Sequence, residues 1–199
     1  MVNRVEKIVG GYVAEKNEYP WQVGITYYYN DKPWCGGSIL SSRTILTAAL
    51  CVQFVGVKKM TVVVGDHDWS VDGDGERRMT VCGKAIHPDY DNSDDYDIAI
   101  LTLCEDIIFT QEIAPVCPPT LPDSDYVNVS AIITGWGHPT FEGAQPKELI
   151  EIEVNTITNT ECSGAYGSES ITDSMICAGD HGKDACIHQG DSGGDNHWS

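Results

Sequence analysis

Positive charge is scarce in this chain: 12 Lys and Arg stand against 30 Asp and Glu, for a formal net charge of -18. Such a surface repels the phosphates of nucleic acid and of anionic membranes, which removes both from the expected partners and favours basic ones. The same acidity also serves plain solubility. Long apolar runs are missing as well. No segment has the roughly twenty consecutive apolar residues that cross a bilayer, and Met1 to Lys7 holds no apolar stretch of the kind a secretory signal needs. No internal repeat or low-complexity tract interrupts the chain. Finally, none of the eight cysteines forms a Cys-x-x-Cys pair, so zinc clusters are set aside and disulfides in an oxidising, extracellular compartment are expected.

What remains is a chain of 199 residues, 41% hydrophobic, long enough for one substantial core or two small fused ones. Short β-rich runs broken by Gly, Pro, Asn and Asp fill its first half: 21–29, 36–40, 44–48, 61–64, 79–86 and 98–104. These predict an all-β architecture. The segment 104–125, rich in Pro and acidic residues, reads as a connection. A second series follows at 129–134, 148–157 and 175–178, with a short helix over 158–165 started by a Thr/Asn cap. Asn128-Val129-Ser130 is a glycosylation sequon and a weak pointer to secretion.

Chemistry concentrates near the end. In Gly190-Asp191-Ser192-Gly193-Gly194 a serine lies between an acid and two glycines. Glycine lets the backbone turn sharply and bring its N–H groups up to a reacting carbonyl, as acyl transfer requires. A serine hydroxyl also needs a neighbouring base.

Four motifs occur in one order: Ile8-Val9-Gly10-Gly11, Thr47-Ala48-Ala49-Leu50-Cys51, Asp97-Ile98-Ala99-Ile100-Leu101 and the Gly190–Gly194 run. Together, over residues 8 to 194, they resemble the chymotrypsin/trypsin family of serine proteases. The resemblance implies two antiparallel barrels of the chymotrypsin type, a first over about 20–105 and a partial second over about 128–199, joined by a connection over about 105–127. Residues 1–7 would form a leader, with cleavage after Lys7 freeing Ile8 to pair with Asp191. The second barrel is expected to be incomplete, because relatives continue beyond the nucleophile glycines with further strands and a helix.

By position, Ser192 resembles the nucleophile, Asp97 the acid that orients the base, and the amides of Gly190 and Ser192 the oxyanion hole. Position 50, where the family carries histidine, reads Leu50. Leucine has no lone pair and no titrating proton, so the chain as written is expected not to cleave. His188, in the inserted pair Ile187-His188 before Ser192, has no evident orienting partner and reads as a loop residue. Asp184 matches the acid of the trypsin specificity pocket, which implies substrates or inhibitors with Lys or Arg. An ordinary surface aspartate is the alternative.

Between Asp66 and Glu76 five carboxylates crowd one loop. The loop is similar to the calcium loop of trypsins, which implies a structural Ca²⁺ held by Asp66, Asp68, Glu76 and the carbonyl of Val71, with Asp72 and Asp74 adding charge. A solvated acidic turn is the alternative. No cofactor is required for the chemistry. The resemblance also implies the bridges Cys35–Cys51 and Cys162–Cys177, each worth roughly 3 kcal/mol by chain entropy. Cys82–Cys104 is a plausible extra bridge between neighbouring strands, while Cys117 and Cys186 lack their usual partners. Three functional readings follow: a trypsin-like endopeptidase with an altered sequence, a silent monomeric homologue that binds peptides, inhibitors or proteases, and a shortened product without a stable fold.

Overall fold

A computed structural model describes residues 11–73, 75–119, 126–137, 144–166 and 171–179. Six strands close a barrel in the order β2-β3-β4-β7-β6-β5: β2 Gln22–Tyr27, β3 Cys35–Ser41, β4 Thr44–Thr47, β5 Met60–Val64, β6 Arg77–Ile86 and β7 Ala99–Leu103. All neighbouring pairs are antiparallel. Inside lie Val23, Ile25, Ile39, Ile45, Val62 and Leu101, each fully buried. These are β-branched and aliphatic side chains at alternating positions, the pattern that packs a pleated inner face.

Two local features shape this barrel. At Gly37, on β3, a Cβ would stand 2.6 Å from the Leu46 carbonyl oxygen, so only glycine lets β3 and β4 cross this closely. On β6 the register shifts between Val81 and Gly83. The extra residue reverses the alternation, so Lys84 and Ile86 follow Met79 and Val81 on the inner side. Ile86 accordingly packs against the core, and Ala85 is exposed.

The second half builds an open sheet of four strands among the described residues. Its centre is β9 (Ile150–Ile157), which pairs with β8 (Ser130–Gly135) and with the two-residue strands β1 (Tyr12–Val13) and β10 (Cys177–Ala178). Helix α2 spans Asn159–Tyr166. Thr158 precedes it and forms a reciprocal cap: its hydroxyl accepts the Glu161 N–H at 3.1 Å, and the Glu161 carboxylate accepts the Thr158 N–H at 3.0 Å. Among the described residues the fold is therefore all-β, with one closed barrel and a partial second one.

The strand runs read from sequence all appear, with small changes at their ends. The first stops at Tyr27 rather than Tyr29, because Tyr28 and Tyr29 turn outward and are about two-thirds exposed. The sequence reading missed β1, the short helix α1 (Ala49–Val52) and a 3-10 turn at Val57–Lys59. These have four residues or fewer, too short for a hydrophobic period to register.

Partly buried polar contacts join the halves. The Trp136 indole N–H donates to the His67 carbonyl at 3.2 Å, and that of Trp69 to the Pro146 carbonyl at 2.8 Å. The Thr134 hydroxyl donates to Gln22 Oε1 at 2.7 Å, and the Tyr19 hydroxyl donates to Glu151. Three disulfides, Cys35–Cys51, Cys82–Cys104 and Cys162–Cys177, span Cα separations of 6.1, 5.0 and 6.2 Å. Cys117 is an exposed thiol. Among the described residues no helix is long and apolar enough to cross a membrane.

Candidate active site

Strand β4 ends at Thr47, whose buried hydroxyl donates to the Gly36 carbonyl at 2.8 Å. The chain then turns into α1, which places the half-buried Leu50 on its first turn. Cys51 is tied to Cys35 on β3, so this turn is fixed from both sides. Asp97 precedes β7, the strand that pairs with β4, and the pairing of Thr47 with Ala99 brings the two segments together. The result is a direct contact: the Leu50 backbone N–H donates to Asp97 Oδ1 at 2.7 Å.

Two residues not singled out from the sequence surround this contact. Gln53 Nε2 donates to the Tyr90 hydroxyl at 3.2 Å. Burial, and then the negative charge of Asp97, push the Tyr90 phenol above its ordinary value. Tyr90 therefore stays protonated beside the acid. Further out, the Ser174 hydroxyl donates to Asp95, joining the loop before Asp97 to the second half. That hydrogen bond is the leading cause of a lowered Asp95 carboxyl.

Beneath α1 the Lys84 ammonium donates to the carbonyls of Val52, Gln53 and Val55 at 2.5, 2.9 and 3.0 Å. These carbonyls lie at the helix's end, where backbone acceptors lack intrahelical partners. The reversed alternation on β6 puts this lysine there, and a lysine just inside an apolar strand was the available signal. Lys84→Met strands the half-buried carbonyls of Gln53 and Val55, while that of Val52 keeps the Val55 N–H at 3.2 Å. The expected cost is about 1.5–3 kcal/mol, the range for hydrogen bonds to a charged donor, read from the urea midpoint at unchanged slope. Lys84→Arg should recover part of it.

The remaining candidates fall elsewhere. Lys7, Ile8, Asp184, Cys186, His188, Gly190, Asp191 and Ser192 lie outside the described residues, as does Asp74. In the 66–76 loop, both Glu76 oxygens accept the Gly73 N–H, at 2.9 and 3.1 Å, and Oε2 also accepts that of Gly75 at 3.2 Å. Asp68 Oδ1 accepts from the amide and hydroxyl of Ser70. Burial alone would raise the Asp68 carboxyl, yet the Ser70 contacts and Lys147 leave it lowered. The donors are hard oxygens suited to Ca²⁺, but among the described residues no three His, Cys, Asp or Glu stand close enough to hold a metal.

Comparison with known proteins agrees with this geometry. The family model described as Trypsin matches residues 8–196. Venom serine protease Bi-VSP of Bombus ignitus is 36% identical over 94% of this chain and 56% of its own length. Venom serine protease 34 of Apis mellifera is 38% identical over 96% of this chain and 48% of its own. The chain thus spans about half the length of these two relatives. Trypsin-1 of Astacus astacus is 35% identical over 94% of the chain and 81% of its own length. Among solved structures, neuropsin, a serine protease expressed in the limbic system of mouse brain, superposes with a TM-score of 0.75 at 30% identity, covering 85% of this chain and 74% of that one. Barrel, bridges, the seating of Asp97 on residue 50 and these likenesses lead to one conclusion: the chain belongs to the trypsin family of serine proteases.

Proposed function

We propose that this chain is a secreted, monomeric trypsin-like endopeptidase homologue that binds protein or peptide segments bearing Lys or Arg and, as written, does not cleave them. The contact between Asp97 and the Leu50 backbone carries the reading. In a Ser-His-Asp site the acid holds the imidazole, and the imidazole takes the serine proton and returns it to the leaving amine. Here the acid sits against residue 50, and the side chain there is a hydrocarbon that can neither accept nor donate a proton. Ser192 then remains a neutral hydroxyl, and the glycines around it remain able to offer backbone donors.

Binding needs less than catalysis. Asp184 supplies the carboxylate that would receive a guanidinium or ammonium, and the formal charge of -18 draws cationic segments toward the chain. Cleavage after Lys7 frees the Ile8 ammonium for Asp191, which orders the oxyanion hole. The test is calorimetric titration of the cleaved chain with an arginine-mimicking amidine. Saturable binding that Asp184→Asn abolishes supports the proposal, and equal binding by both proteins refutes the assigned pocket.

Calcium binding by the 66–76 loop is proposed with one condition: Glu76 must leave the amides of Gly73 and Gly75. If it does, Ca²⁺ at a hundred times its Kd stabilises the fold by about 2.7 kcal/mol. Tm then rises with added Ca²⁺, and Glu76→Gln removes the rise. An unchanged Tm identifies a solvated acidic turn.

A further inference from the structure

We infer that Asn128 is an N-glycosylation site, taking an oligosaccharide from a lipid-pyrophosphate donor in the lumen of the secretory pathway. The inference rests on the secreted route proposed above. Asn128-Val129-Ser130 is the only Asn-x-Ser/Thr triplet in the chain with x other than Pro. Such a triplet is by itself a common accident, so its surroundings decide the matter.

All three residues are exposed. They form the entry to β8, immediately after a turn in which Asn128 has φ 57, the left-handed region that asparagine tolerates better than most residues. The Asn128 side chain makes no hydrogen bond among the described residues, while the Ser130 hydroxyl reaches outward to Glu153 at 2.5 Å. The backbone of the triplet is held by one residue. Asn128 N–H donates to the Thr156 carbonyl and Thr156 N–H to the Val129 carbonyl, both at 3.0 Å, and Val129 N–H donates to the Thr156 hydroxyl at 3.1 Å. Thr156 is buried, so the anchor lies beneath the surface and both acceptor side chains stand above it. A bulky, soluble glycan therefore projects into solvent without displacing a core group.

The anchor also orders events in time. Thr156 lies 27 residues after Val129, so during synthesis the triplet is complete and unclamped before β9 can pair with β8. Transfer then precedes folding. The Asn128 Nδ2–C1 bond forms, the C1–O bond to the carrier pyrophosphate breaks, Nδ2 gives up one proton to the leaving phosphate, and no redox change occurs.

The experiment expresses the full chain behind a heterologous signal peptide in insect cells and examines both lysate and medium. The Cys35–Cys51 bond in the same sample reports that the chain has met the oxidising lumen. The expected result is one N-glycan per chain, removable by a glycan-releasing amidase that leaves aspartate at position 128. Asn128→Gln and Ser130→Ala abolish it, whereas Ser130→Thr, which keeps the hydroxyl, retains it. Reading the lysate detects the glycan even where a variant folds poorly. Bridged chains with unmodified Asn128, or a glycan that survives Asn128→Gln, would overturn the inference.

Discussion

Leu50→His gives the chain, once cut after Lys7, a Ser192-dependent hydrolysis of Lys and Arg esters that the unaltered chain lacks. The geometry favours a large gain. Asp97 already bonds the backbone of residue 50 at 2.7 Å, so an imidazole there meets its orienting acid without any backbone movement. The turn that carries it is fixed by the Cys35–Cys51 bridge and by Lys84. In a comparable enzyme, loss of the histidine alone costs on the order of a million-fold in turnover, which bounds what the substitution can restore. Adding Asp97→Asn to the Leu50→His variant should remove on the order of ten-thousand-fold, because the acid then no longer selects the right imidazole tautomer. Stopped-flow or steady-state ester assays of these variants, with Ser192→Ala as control, measure both effects.

The largest expected effect on stability belongs to Trp136. Its indole is 2% exposed and packs with Ala14 and Leu149, with Tyr19 and Trp69 against the same cluster. On its other side it approaches β2, where a Cβ on Gly24 would stand 3.7 Å from the ring. It thus fills the space between the closed barrel and the open sheet. Trp136→Ala removes this packing and one of the two hydrogen bonds to the His67 carbonyl, which keeps that of the Leu149 N–H at 2.8 Å. The expected loss is about 3–5 kcal/mol. Trp136→Phe keeps most of the volume and loses the hydrogen bond, so its cost should be lower. Equal midpoints for the alanine variant and the parent in urea would mean that the two halves do not rely on this residue.

Legibility in the sequence followed physical range. Long strands such as β6 and β9 announced themselves, because β-branched residues recur over enough positions to outweigh chance. Positions 50 and 97 were singled out by motif resemblance, whereas their contact, a backbone amide on a carboxylate, depends on the pairing of β4 with β7. Lys84 was hidden for a related reason. Its inward position depends on a single extra residue between Val81 and Gly83, and strict alternation would have sent it to solvent. Tyr90 and Gln53 meet across 37 residues of chain, and no local spacing encodes such a contact. The acidic loop at 66–76 was legible as a run of carboxylates, while the bonds from the Gly73 and Gly75 amides to Glu76 depend on a backbone path that composition does not encode.

The central claim is that the family's scaffold is present while its proton-transfer group is not. The most direct measurement compares ester hydrolysis by the chain cut after Lys7 with that of its Ser192→Ala variant. The account predicts equal rates, since a serine without a base contributes nothing above background. A clearly faster reaction with Ser192 intact and Leu50 in place would contradict it, and would require a base other than residue 50 to act in this site.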